Sequence, residues 1–414
     1  MRRPRRASAT AGRGSRVGGT GGGRAVSSSS AIPELTAADL ASALESGVPM
    51  QVVDVRAPAR VAAGRIDPAP AGRFHNIIGS RLLACDTLEG TGIDPGLPVA
   101  VVCGLGNDSK ALARHLGRLG CHARSLHGGV SAWMALVLAR PLQAPPSLDR
   151  LVQFDRVGKG ALGYLLVSDG AAMVIDPPRR AEAYLDEART SGARIVGVAD
   201  THVHADYISG GPTLARMLGV PYYLHPADAV YPYDGTPGLV EYRPLEDGES
   251  IRVGRANVVA YHTPGHTEGS LSFLVDGAVV FTGDFVFVNS VGRPDLAGKT
   301  AEWTEPLWES LARARREWPR EAVVRPAHYA GNDERLADRS VGRPFGPMLD
   351  TNEALRFTDR EVFCSWVLGR RATFPDAYRR IKAVNIGLLH VDDQEADELE
   401  VGRNECALGG PPRV

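Results

Sequence analysis

The sequence predicts two folded domains: a parallel α/β domain, followed by a layered domain with an α+β or αββα arrangement of helices and sheets. In residues 32–141, short apolar strands alternate with helical segments, which is typical of a parallel sheet covered by helices. In residues 151–414, strands come first and helices are interposed between them, and this pattern favours the layered arrangement. The proline-rich residues 142–150 are predicted to form a linker between the domains.

The first domain contains several short elements that can be assigned from local pattern. Thr36 precedes a helical spacing of leucines and is predicted to cap the first helix. The segment QVVDVR is predicted to be a buried strand. The segment PVAVVCG, residues 98–104, is predicted to be a second strand that runs into a glycine-rich loop and then a helix. The segment HARSLHGGVSAWM adds a further strand, a turn and the start of a helix.

The second domain opens with strands and continues with helices between them. The segment ALGYLLVSDGAAMVID predicts a hairpin, because SDG places turn residues between two apolar runs. The segment ARIVGVADTHVHADY predicts a strand that ends in a histidine-rich turn, and GSLSFLVDGAVVFTGD predicts two more strands. The segment TAEWTEPLWESLARARREW predicts a helix.

Composition and charge exclude several classes of partner. The 414 residues carry a formal net charge of −1, so neither nucleic acid nor a membrane is an expected partner. No apolar run approaches the roughly 18 residues that span a bilayer. The five cysteines include no C-x-x-C pair, which disfavours a disulfide scaffold and indicates a cytoplasmic protein. Residues 1–31 have no acidic and almost no large apolar side chain, so we expect them to be disordered.

Cys103 lies where a strand ends and a glycine-rich loop, residues 103–109, leads into a helix. In such a loop, backbone N–H groups and the helix N-terminus stabilise negative charge. Both lower the pKa of a thiol and would stabilise an anionic persulfide on its sulfur. The alternative is a buried cysteine that only fills the core at the end of its strand.

A set of histidines and aspartates follows the apolar strands of the second domain. Strand ends are where loops converge on a site, and imidazole and carboxylate groups are suitable ligands for zinc or iron. The H-x-H spacing does not fit one face of a helix, and instead fits an extended turn. The set consists of His202, His204, Asp206, His266, Asp284 and His328.

The segments VVDVR, VVCGLGNDS and LHGGVSAW make residues 32–141 resemble the rhodanese (sulfurtransferase) domain. The resemblance implies that Cys103 carries sulfane sulfur and is the catalytic residue of this domain. Many members of that family have an arginine where this chain has Asp108, and GNDS is more similar to sulfurtransferase domains attached to sulfur-carrier-activating enzymes. An acidic residue at the entrance to the Cys103 loop disfavours anionic donors such as thiosulfate, so the identity of the sulfur donor is left open.

The histidine and aspartate segments, together with VIDP, make the second domain resemble the metallo-β-lactamase fold superfamily. The resemblance implies an αββα sandwich with metal at one end of the sheets. Two-metal hydrolases of that superfamily carry H-x-H-x-D-H, whereas this chain has Tyr207 at the last position. A phenol with a pKa near 10 is a poor ligand at neutral pH, so Tyr207 argues against a second metal.

The segments THVHAD, TPGHTEGSLSF, FTGDFVF and VGRPDLAG resemble the persulfide dioxygenase (sulfur dioxygenase) branch, which uses one iron. The resemblance implies that the iron ligands are His202, His266 and Asp284, the facial set of two histidines and one carboxylate. It makes His204, Asp206 and His328 further ligands or groups that orient the ligands. It also places Arg293 near the carboxylates of the thiol substrate. The family's PAHDY and NPRL segments appear here as PAHYAG and NEAL, which leaves the identity of the thiol open.

The expected function is oxidation of a low-molecular-weight thiol persulfide, from glutathione or another thiol, by O2 to sulfite and thiol. One Fe(II) per chain is the expected cofactor, with zinc as the alternative. The rhodanese-like domain would pass sulfane sulfur to the thiol, or to sulfite to give thiosulfate. The alternatives are a mononuclear zinc thioester or lactone hydrolase of the glyoxalase II type, and a non-catalytic sulfur relay. Assembly as a homodimer is left open.

Overall fold

The computed structural model describes residues 33–294, 298–370 and 375–407. The tail predicted to be disordered, residues 1–31, lies outside these ranges. Within them, no helix combines the length and the apolar character that crossing a membrane requires.

The first domain is a five-stranded parallel sheet with strand order β1-β5-β4-β2-β3 and helices on both faces. This arrangement confirms the predicted α/β class. Its strands are β1 (Glu34–Leu35), β2 (Gln51–Asp54), β3 (Arg73–Asn76), β4 (Val99–Val102) and β5 (Ala123–Leu126). Its helices are α1 (Ala37–Glu45), α2 (Pro58–Ala63), α3 (Gly79–Leu83), α4 (Asp108–Arg118) and α5 (Gly129–Ala135).

Every residue of the central strands β2 and β4 is buried, as expected for a parallel sheet covered on both faces. Helix α1 starts at the predicted cap. The Thr36 side chain accepts a hydrogen bond from the Asp39 N–H at 3.0 Å, and the Asp39 carboxylate accepts one from the Thr36 N–H at 3.0 Å. This reciprocal pair satisfies two backbone donors of the helix N-terminus and fixes where α1 begins.

The second domain contains two sheets, of seven and six strands, in the orders β12-β11-β10-β9-β8-β7-β6 and β13-β14-β15-β16-β17-β18. The strands of the first are β6 (Val137–Leu142), β7 (Arg150–Arg156), β8 (Ala161–Ser168), β9 (Ala171–Ile175), β10 (Arg194–Ala199), β11 (Tyr222–Leu224) and β12 (Arg243–Pro244). Those of the second are β13 (Ser250–Val253), β14 (Ala256–His262), β15 (Leu271–Val275), β16 (Val279–Gly283), β17 (Val323–Pro326) and β18 (Arg343–Pro344).

Helices connect and cover these two sheets. The helices are α6 (Glu182–Thr190), α7 (Gly211–Leu218), α8 (Thr300–Glu317), α9 (Phe345–Thr351), α10 (Arg360–Leu368), α11 (Ala377–Asn385) and α12 (Asp393–Leu399). Three short 3₁₀ turns span Pro226–Ala229, Asn332–Glu334 and Glu353–Arg356.

The two sheets share one apolar core and each carries helices on its outer face. Leu166 and Ile175 of the first sheet belong to the same buried cluster as Phe273 and Phe281 of the second. Other buried clusters join the first sheet to α6 and α7, and the second sheet to α8, α9 and α10. The layers therefore follow the order helix, sheet, sheet, helix, which confirms the predicted αββα sandwich.

The predicted hairpin at SDG is present between the antiparallel strands β8 and β9. Asp169 has φ +48° and Gly170 has φ +70°, so both central residues of the turn adopt the left-handed conformation that a tight hairpin of this kind requires. Strand β6, in contrast, lies partly within the first domain's predicted range, yet pairs with β7 along Val137–Leu142. The predicted linker therefore begins at the end of a paired strand.

Candidate metal centre and sulfur site

Four strands of the second domain end next to the predicted metal ligands. Strand β10 leads into the 201–206 turn, β14 into the turn that contains His266, β16 into Asp284 and β17 into His328. Because β9 runs parallel to β10 and β16 runs parallel to β17, their carboxyl ends meet at one edge of the sandwich. The six residues selected from the sequence are all buried there.

His202, His266 and Asp284 converge with one donor atom each, and these atoms lie within 4.8 Å of one another. The Nε2 atom of His202 lies 3.8 Å from Asp284 Oδ2, and that of His266 lies 3.4 Å from it. None of the three donor atoms has a hydrogen-bond partner. Buried polar atoms without partners are costly, so three that face one point fit a metal ion.

The other polar atom of each residue is held in place. His202 Nδ1 lies 3.0 Å from Thr201 Oγ1, and His266 Nδ1 lies 3.0 Å from the Arg293 carbonyl oxygen. Asp284 Oδ1 lies 2.6 Å from His328 Nδ1. These contacts fix the orientation of the rings and the carboxylate and leave the opposite atoms for a metal.

Burial also sets the protonation of the two histidines. It lowers the pKa of His202 well below its ordinary value, and it lowers the pKa of His266 to about 4. Both rings are therefore neutral at physiological pH and have a lone pair for coordination. The residues of this triad fit zinc or ferrous iron.

His204 lies beside the triad but is held by a different carboxylate. Its ring centroid is 4.2 Å from that of His202, while its Nε2 lies 3.1 Å from Asp176 Oδ1. Its Nδ1 has no hydrogen-bond partner. His204 is therefore oriented by Asp176 through one nitrogen and offers the other, so both predicted roles, ligand or support, are compatible with its position.

Tyr207 packs against His204. Its ring stacks on the His204 ring with centroids 4.2 Å apart, and its hydroxyl lies 2.8 Å from His204 Nε2. Burial raises the pKa of the Tyr207 phenol well above its ordinary value, so the phenol is neutral. The hydroxyl engages a ring nitrogen. That Tyr207 does not replace a metal-binding histidine stays a prediction.

Asp176 and Asp228 organise the histidine-rich turn, although sequence reasoning gave neither a role. Asp176 Oδ1 accepts a hydrogen bond from the Thr201 N–H at 2.7 Å and also faces His204. Asp228 accepts hydrogen bonds from the Val203 N–H at 2.6 Å and the Gly269 N–H at 2.8 Å. Asp176 belongs to the VIDP segment and could have been found from it, whereas no local motif marks Asp228.

Asp206 and His328 form a second group, which Cys406 completes. His328 Nε2 lies 3.0 Å from Asp206 Oδ2, which is an ion-pair distance, although the two groups are not aligned for a hydrogen bond. Burial lowers the pKa of His328, but the carboxylates of Asp206 and Asp284 outweigh it and raise that pKa to about 10. Cys406 was missed from the sequence because it stands alone in the C-terminal segment, far along the chain from the other donors.

Arg293 is buried beside the triad. Its carbonyl oxygen orients His266, its N–H donates to the Cys406 carbonyl at 2.9 Å, and its guanidinium donates to the Glu405 carbonyl at 3.3 Å. The predicted contact of Arg293 with substrate carboxylates stays a prediction. Residues 295–297, which complete the motif that suggested it, lie outside the described ranges.

Cys103 lies at the end of β4, within the loop that the sequence predicts. Its Sγ accepts a hydrogen bond from the Gly106 N–H at 3.1 Å and lies 3.3 Å from Ser109 Oγ, which in turn contacts Ser125 Oγ at 2.9 Å. Gly106 has φ +82°, a conformation that glycine adopts without strain. A backbone amide and a hydroxyl thus both face the sulfur, as needed to stabilise an anion.

Comparisons with known proteins agree with this geometry. Residues 158–341 match the metallo-beta-lactamase superfamily, and residues 36–136 match the rhodanese-like domain. A hydroxyacylglutathione hydrolase of Maricaulis maris is 30% identical over 249 residues, which cover 55% of this chain and 86% of that protein. The chain belongs to the metallo-beta-lactamase superfamily. Within it, this chain carries a rhodanese-like domain ahead of the metal-binding domain.

Two further relatives extend the comparison. An uncharacterized protein of Aquifex aeolicus is 32% identical over 214 residues, covering 48% of this chain and 98% of that protein. The crystal structure of a metallo-beta-lactamase from Staphylococcus aureus is similar to this protein, with a TM-score of 0.51 and 27% sequence identity. The matched part covers 59% of this chain and 74% of the Staphylococcus aureus chain. Both are similar to parts of this chain and leave its specific activity open.

Proposed function

We propose that this protein oxidises the persulfide of a low-molecular-weight thiol with O2, using one Fe(II) held by His202, His266 and Asp284. One observation carries the proposal: three buried donor atoms of these residues face one point and have no other partner. Two histidines and one carboxylate on one side of a metal leave positions for both a substrate and O2. Ferrous iron bound there would supply the redox chemistry.

The overall reaction balances as R–S–SH + O2 + H2O giving R–SH and H2SO3, which ionises to sulfite at neutral pH. The terminal sulfur is oxidised and O2 is reduced. The protein's own contribution is to hold and orient. Thr201, the Arg293 carbonyl and His328 fix the three ligands, and their burial keeps bulk water away from the reacting atoms.

The first domain is proposed to deliver sulfane sulfur to the small thiol. The thiolate R–S⁻ attacks the outer sulfur of a Cys103 persulfide, the Cys103 S–S bond breaks, and R–S–S⁻ forms while Cys103 leaves as its thiolate. The Gly106 N–H and the Ser109 hydroxyl, which both face Sγ, support this step because they stabilise the departing anion. Transfer to sulfite, which gives thiosulfate, uses the same leaving group.

A second candidate is a zinc-dependent thioester hydrolase. It is favoured by the similarity to a hydroxyacylglutathione hydrolase and by the Asp206 and His328 pair beside the triad. Zinc at the triad would polarise the thioester carbonyl and lower the pKa of a bound water.

Metal exchange separates the two candidates. Protein stripped of metal is reloaded anaerobically with Fe(II) or with Zn(II), and each form is given glutathione persulfide, another small-thiol persulfide and a glutathione thioester. We expect oxygen uptake with a persulfide from the iron form alone. Thioester hydrolysis by the zinc form, without oxygen uptake by the iron form, would replace the proposal with the second candidate.

A further inference from the structure

We propose that a cleft between the two domains binds a small organic dianion, one with an apolar body and a phosphate or dicarboxylate group. The cleft encloses about 680 Å³ of space, part of it open to solvent, and residues of both domains line it. Ligand sites commonly lie at domain interfaces and measure about 300–1,000 Å³. Neither Cys103 nor any predicted metal ligand lines this cleft, so the proposal goes beyond the proposed function and does not depend on it.

Four arginines from three separate segments of the chain line the cleft. Arg65 belongs to the loop after α2 in the first domain. Arg335 and Arg339 lie between β17 and β18, and Arg403 follows α12. A guanidinium group donates two parallel N–H bonds to a carboxylate or a phosphate, so these side chains suit a ligand that carries such a group.

The charge of Arg335 is balanced within the protein. Its guanidinium lies 2.8 Å from Asp155 and 3.7 Å from Glu45, which also lines the cleft. Arg140 lies 2.8 Å from Asp155 and pairs with Glu45 as well. Two arginines and two carboxylates therefore form one neutral group at the base of the domain interface, and the Glu45 carboxylate is already engaged.

The charges of Arg339 and Arg403 are not balanced in this way. Asp67, the other acidic residue of the lining, pairs with Arg65 at 2.7 Å. Within the ranges that the structure describes, Arg339 and Arg403 pair with no carboxylate, and their guanidinium groups donate to backbone carbonyls instead. The cleft thus keeps two positive charges, which a ligand with two negative charges would match.

The backbone and the neighbouring side chains hold the arginines at the cleft. Arg339 has φ +67°, a left-handed conformation that is strained for a residue other than glycine and that recurs at ligand-binding positions. Its Nη2 donates to the Glu45 carbonyl across the domain interface, and its own carbonyl accepts a hydrogen bond from Arg335 Nη1 at 3.0 Å. The Arg335 side chain is 3% exposed, and its Nε has no hydrogen-bond partner. A buried donor without a partner is costly, which favours a site that a ligand completes.

Much of the remaining lining is apolar. It includes Leu44 of α1, Ala69 and Trp133 of α5, and the Trp133 side chain is buried. An apolar ligand body that covers this surface gains affinity that a bare inorganic ion does not gain. The lining therefore favours an organic dianion over inorganic phosphate or sulfate.

Calorimetric titration of the full-length protein tests the site. Phenyl phosphate and phthalate probe the phosphate ester and the dicarboxylate, while inorganic phosphate and phenol probe the charge alone and the ring alone. Each is titrated at pH 8, where a phosphate monoester is a dianion. Protein with its metal and protein stripped of metal are both used, because anions also coordinate metal ions.

We expect one phenyl phosphate or one phthalate to bind per chain in both forms of the protein, and the tighter of the two identifies the charged group. Inorganic phosphate should bind at least about tenfold more weakly, because it has no ring to bury. Phenol should not bind.

Arg339→Met and Arg403→Met keep an apolar stem and remove the charge. Each should weaken binding of the tighter probe by at least about tenfold, the usual effect of losing a hydrogen bond to a charged group. Arg252→Met, at an exposed arginine of β13, is the matched control and should bind like the parent. Circular dichroism identifies a variant that fails to fold, and the other cleft variant then carries the test.

Three results would overturn the site. They are unchanged affinity in a correctly folded cleft variant, binding that requires the metal, and no binding of either dianion.

Discussion

At the scale of single residues, the metal centre depends on groups that never reach the metal position. Thr201 donates to Asp176 with its hydroxyl and lies 3.0 Å from His202 Nδ1 with the same atom. Asp176 also contacts His204. One carboxylate therefore orients two histidines, His202 through the Thr201 hydroxyl and His204 directly. Such outer contacts raise metal affinity because they remove the wrong ring orientations before the metal arrives.

Thr201→Val keeps the shape of the side chain and removes its hydroxyl. We expect Fe(II) affinity to fall roughly 10- to 100-fold, the range seen when outer contacts of a metal ligand are removed. Competition with a chelator of known affinity measures the change. Thr190→Val, which removes a hydroxyl at the exposed end of α6, is the matched control and should leave affinity unaltered. Equal affinities for the two variants would show that Thr201 does not orient His202.

Glu334 carries a stability cost that depends on pH. Burial raises the pKa of this carboxyl to about 7, and the carboxyl accepts a hydrogen bond from the Ala330 N–H at 3.1 Å. The folded state therefore holds a proton that the unfolded state has released between the ordinary pKa of 4.5 and about 7. Stability contributed by the neutral acid is present below this window and is lost as the pH rises through it.

Glu334→Gln mimics the neutral acid and keeps an acceptor for Ala330. The variant should be more stable than the parent at pH 8, by about 1–3 kcal/mol, and close to it at pH 5. Urea unfolding of the metal-free proteins at both pH values gives the comparison. If Glu334→Gln differed from the parent protein in stability by the same amount at pH 5 and at pH 8, the claim that burial raises the pKa of Glu334 would be contradicted.

At the scale of secondary-structure elements, α12 connects the turn beside the metal centre to the rest of the protein. Glu400, just after α12, accepts a hydrogen bond from the Ile208 N–H at 2.9 Å and forms an ion pair with Arg156. Asp397 of α12 binds Arg179 and Arg180, which follow Asp176 along the chain, and it accepts a hydrogen bond from Ser131 of α5. One short helix thus contacts both domains and the base of the histidine-rich turn.

Glu400→Gln breaks a buried ion pair and leaves the Arg156 charge unmatched. The free energy of unfolding should fall by about 3–5 kcal/mol, the usual cost of removing one partner of such a pair. Denaturant unfolding measures the loss. Glu398→Gln, at an exposed glutamate of α12, should change stability by less than about 0.5 kcal/mol. A loss below about 1 kcal/mol for Glu400→Gln would mean that solvent reaches the pair.

The elements that could be predicted are those fixed by local pattern. The strand ends that carry His202, His266 and Asp284 follow from apolar runs that stop at polar residues, and the SDG turn follows from its residue types. Strand β6 could not be predicted, because Pro141 and the prolines that follow the strand indicated a linker. It lies at the edge of the seven-stranded sheet, where proline is tolerated since one side needs no ladder hydrogen bond.

The parts of the site that could not be predicted depend on distant segments. Cys406 reaches the centre through the path of the C-terminal segment over Arg293, and Asp228 does so through a 3₁₀ turn after β11. Neither residue belongs to a spaced motif. The position of His204 between Asp176 and the triad could not be predicted either. The H-x-H spacing alone does not tell which ring nitrogen faces which carboxylate.

At the scale of the whole molecule, a rhodanese-like domain and a metallo-beta-lactamase domain are joined in one chain. The domains contact each other through side chains, for example where Arg140 and Arg335 face Glu45 of α1. The proposed function makes the first domain a supplier of persulfide and the second its consumer. The two activities should then be separable by substitution, since each has its own reacting group.

Cys103→Ser should abolish sulfur transfer to small thiols and leave the oxidation of a supplied persulfide within about twofold of the parent. The physical reason is that a hydroxyl at this position forms no persulfide, while the triad is unchanged. Thiol trapping measures sulfur transfer, and oxygen uptake measures oxidation of the supplied persulfide. Cys121→Ser, at the other buried cysteine of this domain, is the control for the loss of a thiol. Loss of both activities in Cys103→Ser would mean that the reactions are not independent.

The proposed function requires that His202, His266 and Asp284 hold iron for persulfide oxidation. Its most direct test measures O2 consumed and sulfite formed when anaerobically iron-loaded protein meets a small-thiol persulfide. We expect one sulfite per O2, and loss of both signals in Asp284→Ala. Iron-loaded protein that consumes no O2 with any small-thiol persulfide would contradict it.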